Sequence, residues 1–439
     1  MSGKIVLVGL DGVPVKVIEK YVDMGIMPNM AELVRKGAFR QTSSAIPEVS
    51  STAWSSIITG KNPGEHGIYG FTELKPNSYQ LTFPNYKNLK ASPFWDEWPG
   101  ESVIINVPAT YPVRKMNGAH ISGFVSIDIN KSVYPPTILD DIKSYDYRLD
   151  VDSRKAHESI NAFLDDVEAT LDARISVYRY LWNEYNNWQN FMLVFTGTDR
   201  LMHFLFDAFE DDNHRCSSAF TLHFSRIDKI IGEIASMMSE DDLLVLMSDH
   251  GFEKLDYDVY VNNFLSKNGY LEFAGKPGWE NIAYHSKAFA LDPARIYINL
   301  KDKYPQGSVS RSDRPKVSEE LMELFAGWKV NGKKVVKDIY RGEDIYHGPE
   351  AKHGPDIVLV GNSGFNLKAS FATNKISSKG IFTGKHTQDT SFALFYGLKD
   401  ESILPENLSI EQIIPAIEKD RAINCKSSPG RRWSQTLTE

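Results

Sequence analysis

Cysteine is scarce: Cys216 and Cys425 are the two present in 439 residues, far apart and in no metal-binding spacing. Two such residues cannot support a disulfide framework, so the expectation is a reducing compartment. Long apolar runs are missing too, and nothing approaches the ~18 residues of a membrane span. The run Ile5-Val6-Leu7-Val8, directly after Met1-Ser2-Gly3-Lys4, is too short for a signal-peptide core, and the expected location is cytoplasmic. There is no basic excess: 49 Lys and Arg face 57 Asp and Glu, a net charge of -8, which excludes the electrostatic footprint of a nucleic-acid polymer binder. No G-x-x-x-x-G-K-[ST] occurs, so a nucleotide-binding regulator would lack its phosphate cradle. Internal repeats and low-complexity segments are absent as well.

What remains is the composition of a globular enzyme, 42% hydrophobic and 24% charged, in a chain long enough to bury a large core. Short apolar runs at Ile5 to Leu10, Val103 to Val107, Phe191 to Phe195, Leu243 to Met247, Ile357 to Val360 and Phe392 to Tyr396 read as strands buried on both faces of a parallel sheet. Helical periodicity separates them, most clearly between Ile160 and Trp182, where apolar residues recur at 160, 163, 164, 167, 171, 175 and 178. Alternating strands and helices predict an α/β fold, a doubly wound, mostly parallel sheet with helices on both faces. One catalytic domain over 1–420 is expected. Polar, Pro-containing 126–155 and mixed 260–350 break the rhythm and read as inserted cap elements. From Arg421 to 439 the chain reads as a polar, poorly ordered tail.

Three of the buried strands end in or just before an aspartate: Leu10-Asp11-Gly12, Thr198-Asp199-Arg200 and Ser248-Asp249-His250-Gly251. Open parallel sheets bind ligands outside the carboxyl ends of their strands. Carboxylates gathered there repel one another and call for a cation. A single such aspartate is usually a helix N-cap, but two of these three come with histidine. Asp199 and His203 share a helix face if that segment is helical, and His250 follows Asp249 directly. Such a set suits zinc, with manganese or iron as metals the same ligands accept.

The segment Pro47 to Gly60 starts as a loop and becomes a helix, with Ser50, Ser51 and Thr52 near its start. Backbone N–H groups and the helix dipole favour an anion there. A hydroxyl beside a metal at such a place can attack phosphorus; equally, it can be an ordinary capping serine. By chemistry alone any of the three hydroxyls could serve.

The stretch Thr59-Gly60-Lys61-Asn62-Pro63-Gly64-Glu65-His66-Gly67-Ile68 resembles the TG-x-x-P-x-x-HGI element of type I phosphodiesterase/nucleotide pyrophosphatases, a family of the alkaline phosphatase superfamily. Val8-Gly9-Leu10-Asp11-Gly12, Met27-Pro28-Asn29-Met30-Ala31-Glu32-Leu33, Thr198 to His203, Ser248 to Phe252 and Gly384-Lys385-His386-Thr387 resemble its other motifs, in order, from about residue 4 to 397. The resemblance implies an alkaline-phosphatase-like core and hydrolysis of small-molecule phosphate esters, diesters or nucleotide pyrophosphates. It places one divalent metal on Asp199, His203 and His386 and a second on Asp11, Asp249 and His250. Counting back nine residues from Thr59 makes Ser50 the nucleophile, reaching the second metal and forming a phosphoseryl intermediate. His66 belongs to the signature but not to the site.

One departure stands out. Animal members carry a phosphate-binding Asn shortly after the nucleophile, whereas this chain reads Thr52-Ala53-Trp54, so the transition-state anion needs another donor. The C/S-x-P-x-R context of sulfatases is absent around Ser50. Phosphomonoester hydrolysis, phosphoryl transfer and a non-catalytic metal-bound binding protein on the same fold stay open as alternatives.

Overall fold

The computed structural model describes residues 3–427. Its centre is a nine-stranded sheet made, in chain order, of β1 (Ile5–Leu10), β2 (Ala38–Ser43), β3 (Glu101–Val107), β4 (Gly118–Ser122), β5 (Val133–Tyr134), β6 (Trp188–Phe195), β7 (Leu243–Met247), β8 (Ser391–Tyr396) and β9 (Leu408–Ser409). Across the sheet the order is β9-β2-β8-β7-β1-β6-β3-β4-β5. β1 runs parallel to β6 and β7, and β3 parallel to β6 and β4. β8 is antiparallel to both its neighbours, β2 and β7, and β5 is an antiparallel edge strand.

The period of two along β1 divides two cores. Val6, Val8 and Leu10 face a cluster shared with the helices Ile160–Glu184, Gly197–Glu210 and Ser217–Ser236. Ile5 and Leu7 face the opposite cluster, shared with Trp54, Ile57 and Ile58 of the helix Ser50–Thr59 and with Ile413 and Ile417 near the C-terminus. Helices thus cover both faces, and each fully buried aliphatic side chain contributes roughly 1.5–3 kcal/mol. The α/β, mostly parallel expectation holds, with β8 and β5 as its antiparallel exceptions.

Two strand expectations are corrected. Ile357–Gly361 does not lie in the main sheet; it pairs antiparallel with Val336–Arg341 and Arg295–Ile298 in a separate four-stranded sheet that also holds Ala288–Leu291. Phe392 to Tyr396 does lie in the main sheet, but antiparallel. The reason is the same in both cases: an apolar run reports burial on two faces, not the identity or direction of the neighbours.

The separate sheet has its own apolar core, with Leu321 and Phe325 of the helix Arg314–Ala326 packed on it. This lobe takes in most of 260–350 and runs past 350 to include Ile357–Gly361 and Gly364–Lys368. The strand Gly251–Tyr260 joins the two parts: it leaves the end of β7 and pairs with Gly384–Thr387, Ser377–Ser378 and Gly364–Lys368. At the C-terminus the helix Ile413–Ser427 continues through residues 421–427, expected to be tail. Residues 428–439 lie outside the described residues. Among the described residues no helix is long and apolar enough to cross a membrane.

Candidate active site

β1, β6 and β7 end side by side, and the residues that follow them meet. Asp11 comes directly after β1, its backbone N–H donating to Phe195 O at the end of β6 (3.1 Å). Asp199 is the third residue of Gly197–Glu210, and the helical spacing puts His203 beside it, Nε2 to Oδ1 3.5 Å. Asp249 and His250 form the turn between β7 and Gly251–Tyr260. His386 arrives on Gly384–Thr387, paired with Phe252 across the ladder. Gly12, at φ 73°, closes the turn after Asp11 and donates its N–H to Asp249 Oδ1 at 3.0 Å. A Cβ at Gly12 would stand 2.8 Å from the Phe252 ring, so both the backbone conformation and the space demand glycine.

Ser50 is the first residue of its helix, with Val49 as the cap. Its Oγ lies 3.3 Å from His250 Nε2 and 3.5 Å from Asp11 Oδ1. The neighbouring hydroxyls, Ser51 Oγ and Thr52 Oγ1, are buried without a hydrogen-bond partner. One turn after Ser50, Trp54 donates its indole N–H to Asp11 Oδ2 at 3.0 Å.

The ligand atoms of Asp11, Asp249 and His250 lie within 4.8 Å of one another, as do those of Asp199, His250 and His386. His203 Nε2 joins the second group at 3.0 Å from His386 Nε2. His250 therefore stands between both groups, its ring stacked on His386 with centroids 3.7 Å apart. His386 Nδ1 faces Glu48 O at 2.9 Å and His250 Nδ1 faces Gly251 O at 3.2 Å. A carbonyl only accepts, so the N–H sits on Nδ1 and each Nε2 is aimed at the cluster, the arrangement in which histidine ligates metals.

Electrostatics point the same way. Burial, then repulsion from Asp249 and Asp199, raises the Asp11 carboxyl well above its ordinary range, and burial likewise raises Asp249. For Asp199 burial is outweighed by His203, the His386 hydrogen bond and Arg200, which hold it far below the usual range. Burial pushes His203 down to about 3 and His250 well below its ordinary value, so both imidazoles present lone pairs. Asp249 Oδ2, fully buried, has no hydrogen-bond partner. Three carboxylates, inward-facing imidazoles and an orphaned buried oxygen are a donor set that a divalent cation satisfies.

All seven residues expected from the sequence, Asp11, Ser50, Asp199, His203, Asp249, His250 and His386, meet here. His66 stays apart, buried between Ser56 Oγ (2.9 Å) and the Ile68 N–H (3.1 Å). Two neighbours of the site were not foreseen. Trp54, four residues after Ser50, reads in the sequence as a core residue, and only its indole N–H on Asp11 ties it to the site. Arg200 was visible beside Asp199; its Nη1 donates to Asp199 Oδ2 (2.9 Å), and its Nε and Nη2 to Asp150 Oδ2 (3.1 and 2.7 Å). Asp150, from 126–155, thereby reaches the site through Arg200. Beside His203 and His386 opens a cavity of about 330 Å³, walled by Phe71, Leu359, Phe365 and Leu367, by Asp292, Pro293 and Ala294 of the separate lobe, and by Lys368 and Lys385.

An α/β sheet with this ligand edge defines a phosphoester hydrolase of alkaline-phosphatase-like architecture. Residues 5–389 match the family of type I phosphodiesterase / nucleotide pyrophosphatase, and the chain belongs to that family. No curated protein matches it in sequence. Among solved structures it is similar to phosphonoacetate hydrolase from Sinorhizobium meliloti 1021 in complex with phosphonoacetate, at 16% identity, TM-score 0.65 and 96% of each chain. It is also similar to murine ectonucleotide pyrophosphatase / phosphodiesterase 5 in complex with AMP, at 12% identity and TM-score 0.55, covering 96% of this chain and 95% of that one. The human form of the latter gives 14% identity and TM-score 0.55 over 95% of both chains. At these identities the likeness is one of fold.

Proposed function

We propose that the chain hydrolyses small-molecule phosphate esters, diesters or nucleotide pyrophosphates in first place, with two divalent ions, zinc foremost, and Ser50 as nucleophile. The observation carrying this reading is the position of Ser50 Oγ, at a helix N-terminus and within 3.5 Å of both Asp11 and His250. Asp199, His203 and His386 would hold one ion and Asp11, Asp249 and His250 the other. When bound, the ions supply charge stabilisation at phosphoryl oxygens and lower the pKa of hydroxyl and water.

The protein's own groups supply the rest. Ser50 Oγ attacks phosphorus, the bond to the leaving oxygen breaks, and water then cleaves the phosphoseryl ester. The first N–H groups of Ser50–Thr59 face the phosphoryl oxygens and take over part of the task of the missing carboxamide. Arg200, locked between Asp150 and Asp199, orients Asp199 and adds a fixed positive charge. The cavity beside His203 and His386 receives the leaving group, and Asp292 to Ala294 give the separate lobe a share in choosing it.

An activity panel tests this reading: bis-(p-nitrophenyl) phosphate, p-nitrophenyl phosphate and p-nitrophenyl sulfate, each with Zn²⁺, Mn²⁺ or Mg²⁺. Turnover is expected to be fastest on the diester and absent on the sulfate. Preference for the monoester would move the assignment to a phosphomonoesterase, and turnover of none to a non-catalytic role.

A further inference from the structure

Arg174, on the helix Ile160–Glu184, is only 2% exposed, yet no carboxylate among the described residues pairs with it. Its Nη2 makes one long hydrogen bond to Arg148 O at 3.3 Å, its plane lies 4.5 Å from the Tyr147 ring centroid, and its Nη1 has no partner. Burial alone pulls the guanidinium down to about 9, which leaves it protonated at neutral pH. An isolated buried cation is costly; interiors hold such charges when a counter-charge stands nearby.

A second unpartnered group borders the same space. His223, 1% exposed, faces Glu168 Oε1 with Nδ1 at 2.7 Å, and its Nε2 has no partner. Both side chains line a cavity of about 10 Å³, about the least that holds one water-sized particle, walled otherwise by Val167, Thr170, Leu171 and Phe195 and by Thr196 and Gly197. Thr196 and Gly197 are the cap and first residue of the 14-residue helix Gly197–Glu210, whose first N–H groups lack helical acceptors. Gly197 matters for access: a Cβ there would stand 3.3 Å from His223 Nε2, between the ring and the helix start.

We propose that this cavity is a binding site for a monovalent anion of halide size, chloride in physiological solution, held by Arg174 Nη1, His223 Nε2 and the start of Gly197–Glu210. With Nδ1 engaged by Glu168, the ring nitrogen that His223 turns to the cavity is Nε2. The ion neutralises Arg174 and fixes the beginning of the helix that carries Asp199 and His203. None of the residues lining the cavity is among the seven that meet at the candidate active site, and the ion takes no part in the reaction.

Two measurements decide it. Diffraction from a crystal soaked in bromide, recorded at the bromine edge, should give an anomalous peak against Arg174 and His223; a water there without a bromide peak overturns the proposal. Thermal unfolding should respond to chloride when gluconate replaces it at constant ionic strength. For a chain of this length, chloride at a hundredfold over its Kd should raise Tm by about 3 °C. Arg174→Met should abolish that response, whereas an equal response in the variant, or none in the parent, also overturns it. If the variant fails to fold, the bromide experiment stands alone.

Discussion

At the residue scale the choice among three consecutive hydroxyls was left open by chemistry and settled in the sequence only by family spacing. Geometry adds an independent argument, because Ser50 Oγ has ligand atoms within reach, whereas Ser51 Oγ and Thr52 Oγ1 are buried without partners. Ser50→Ala should cut kcat by several orders of magnitude, since outright loss of a nucleophile can cost ~10⁶. Metal content should be retained, because six protein ligands remain. Ser51→Ala removes a hydroxyl that makes no hydrogen bond and should change stability by no more than about 1 kcal/mol. Steady-state kinetics together with phosphoenzyme trapping check both; a label on Ser51 or Thr52 would shift the assignment. The aspartates were legible because each follows a recognisable strand, and the histidines because they accompany them. The support given to Asp11 by Trp54 was not, because a buried tryptophan at helical spacing looks like core until its N–H is seen to have a carboxylate partner.

At the element scale the site depends on a short strand. Gly384–Thr387 presents His386, and backbone pairing with Gly251 to Lys254 holds it in place. Because that support comes from the backbone, His386→Ala should leave the fold intact. Bound metal should fall from about two equivalents to one, measured by elemental analysis after gentle purification, and turnover should fall with it. Two equivalents retained in the variant would remove His386 from the ligand set. Elements of the main sheet were readable where strand and helix alternate, as in β1, β3, β6 and β7. The reading failed at Ile357–Gly361, where one apolar strand of a second sheet looks like any other. Pairing partners are set by distant chain segments, and periodicity carries no record of them.

At the scale of the whole molecule, two buried histidines outside the donor cluster should tie stability to pH. Burial pushes both His66 and His120 down to about 3. In the unfolded chain each titrates near 6.5. Above that value both states are neutral and pH has no effect through them. Between 6.5 and 3 the unfolded state binds the protons and the native state does not, so stability falls with falling pH, by about 1.4 kcal/mol per unit for each histidine. Urea unfolding at pH 7 and pH 5 should therefore differ by on the order of 4 kcal/mol from this pair. A flat profile over that interval would mean that these rings find room to protonate in the folded protein.

The order of the strands also bears on biosynthesis. β8, made after residue 390, sits between β2 and β7, both made much earlier, and the donor cluster that opens at Asp11 closes only at His386. Folding from the N-terminus as the chain emerges would leave β2 without a neighbour on that side and the donor cluster one imidazole short. On the proposed assignment, a nascent chain stopped before His386 is translated would offer one of the two ions an incomplete donor set. Loss of the late strand by premature termination should accordingly yield material for degradation rather than a weakened enzyme.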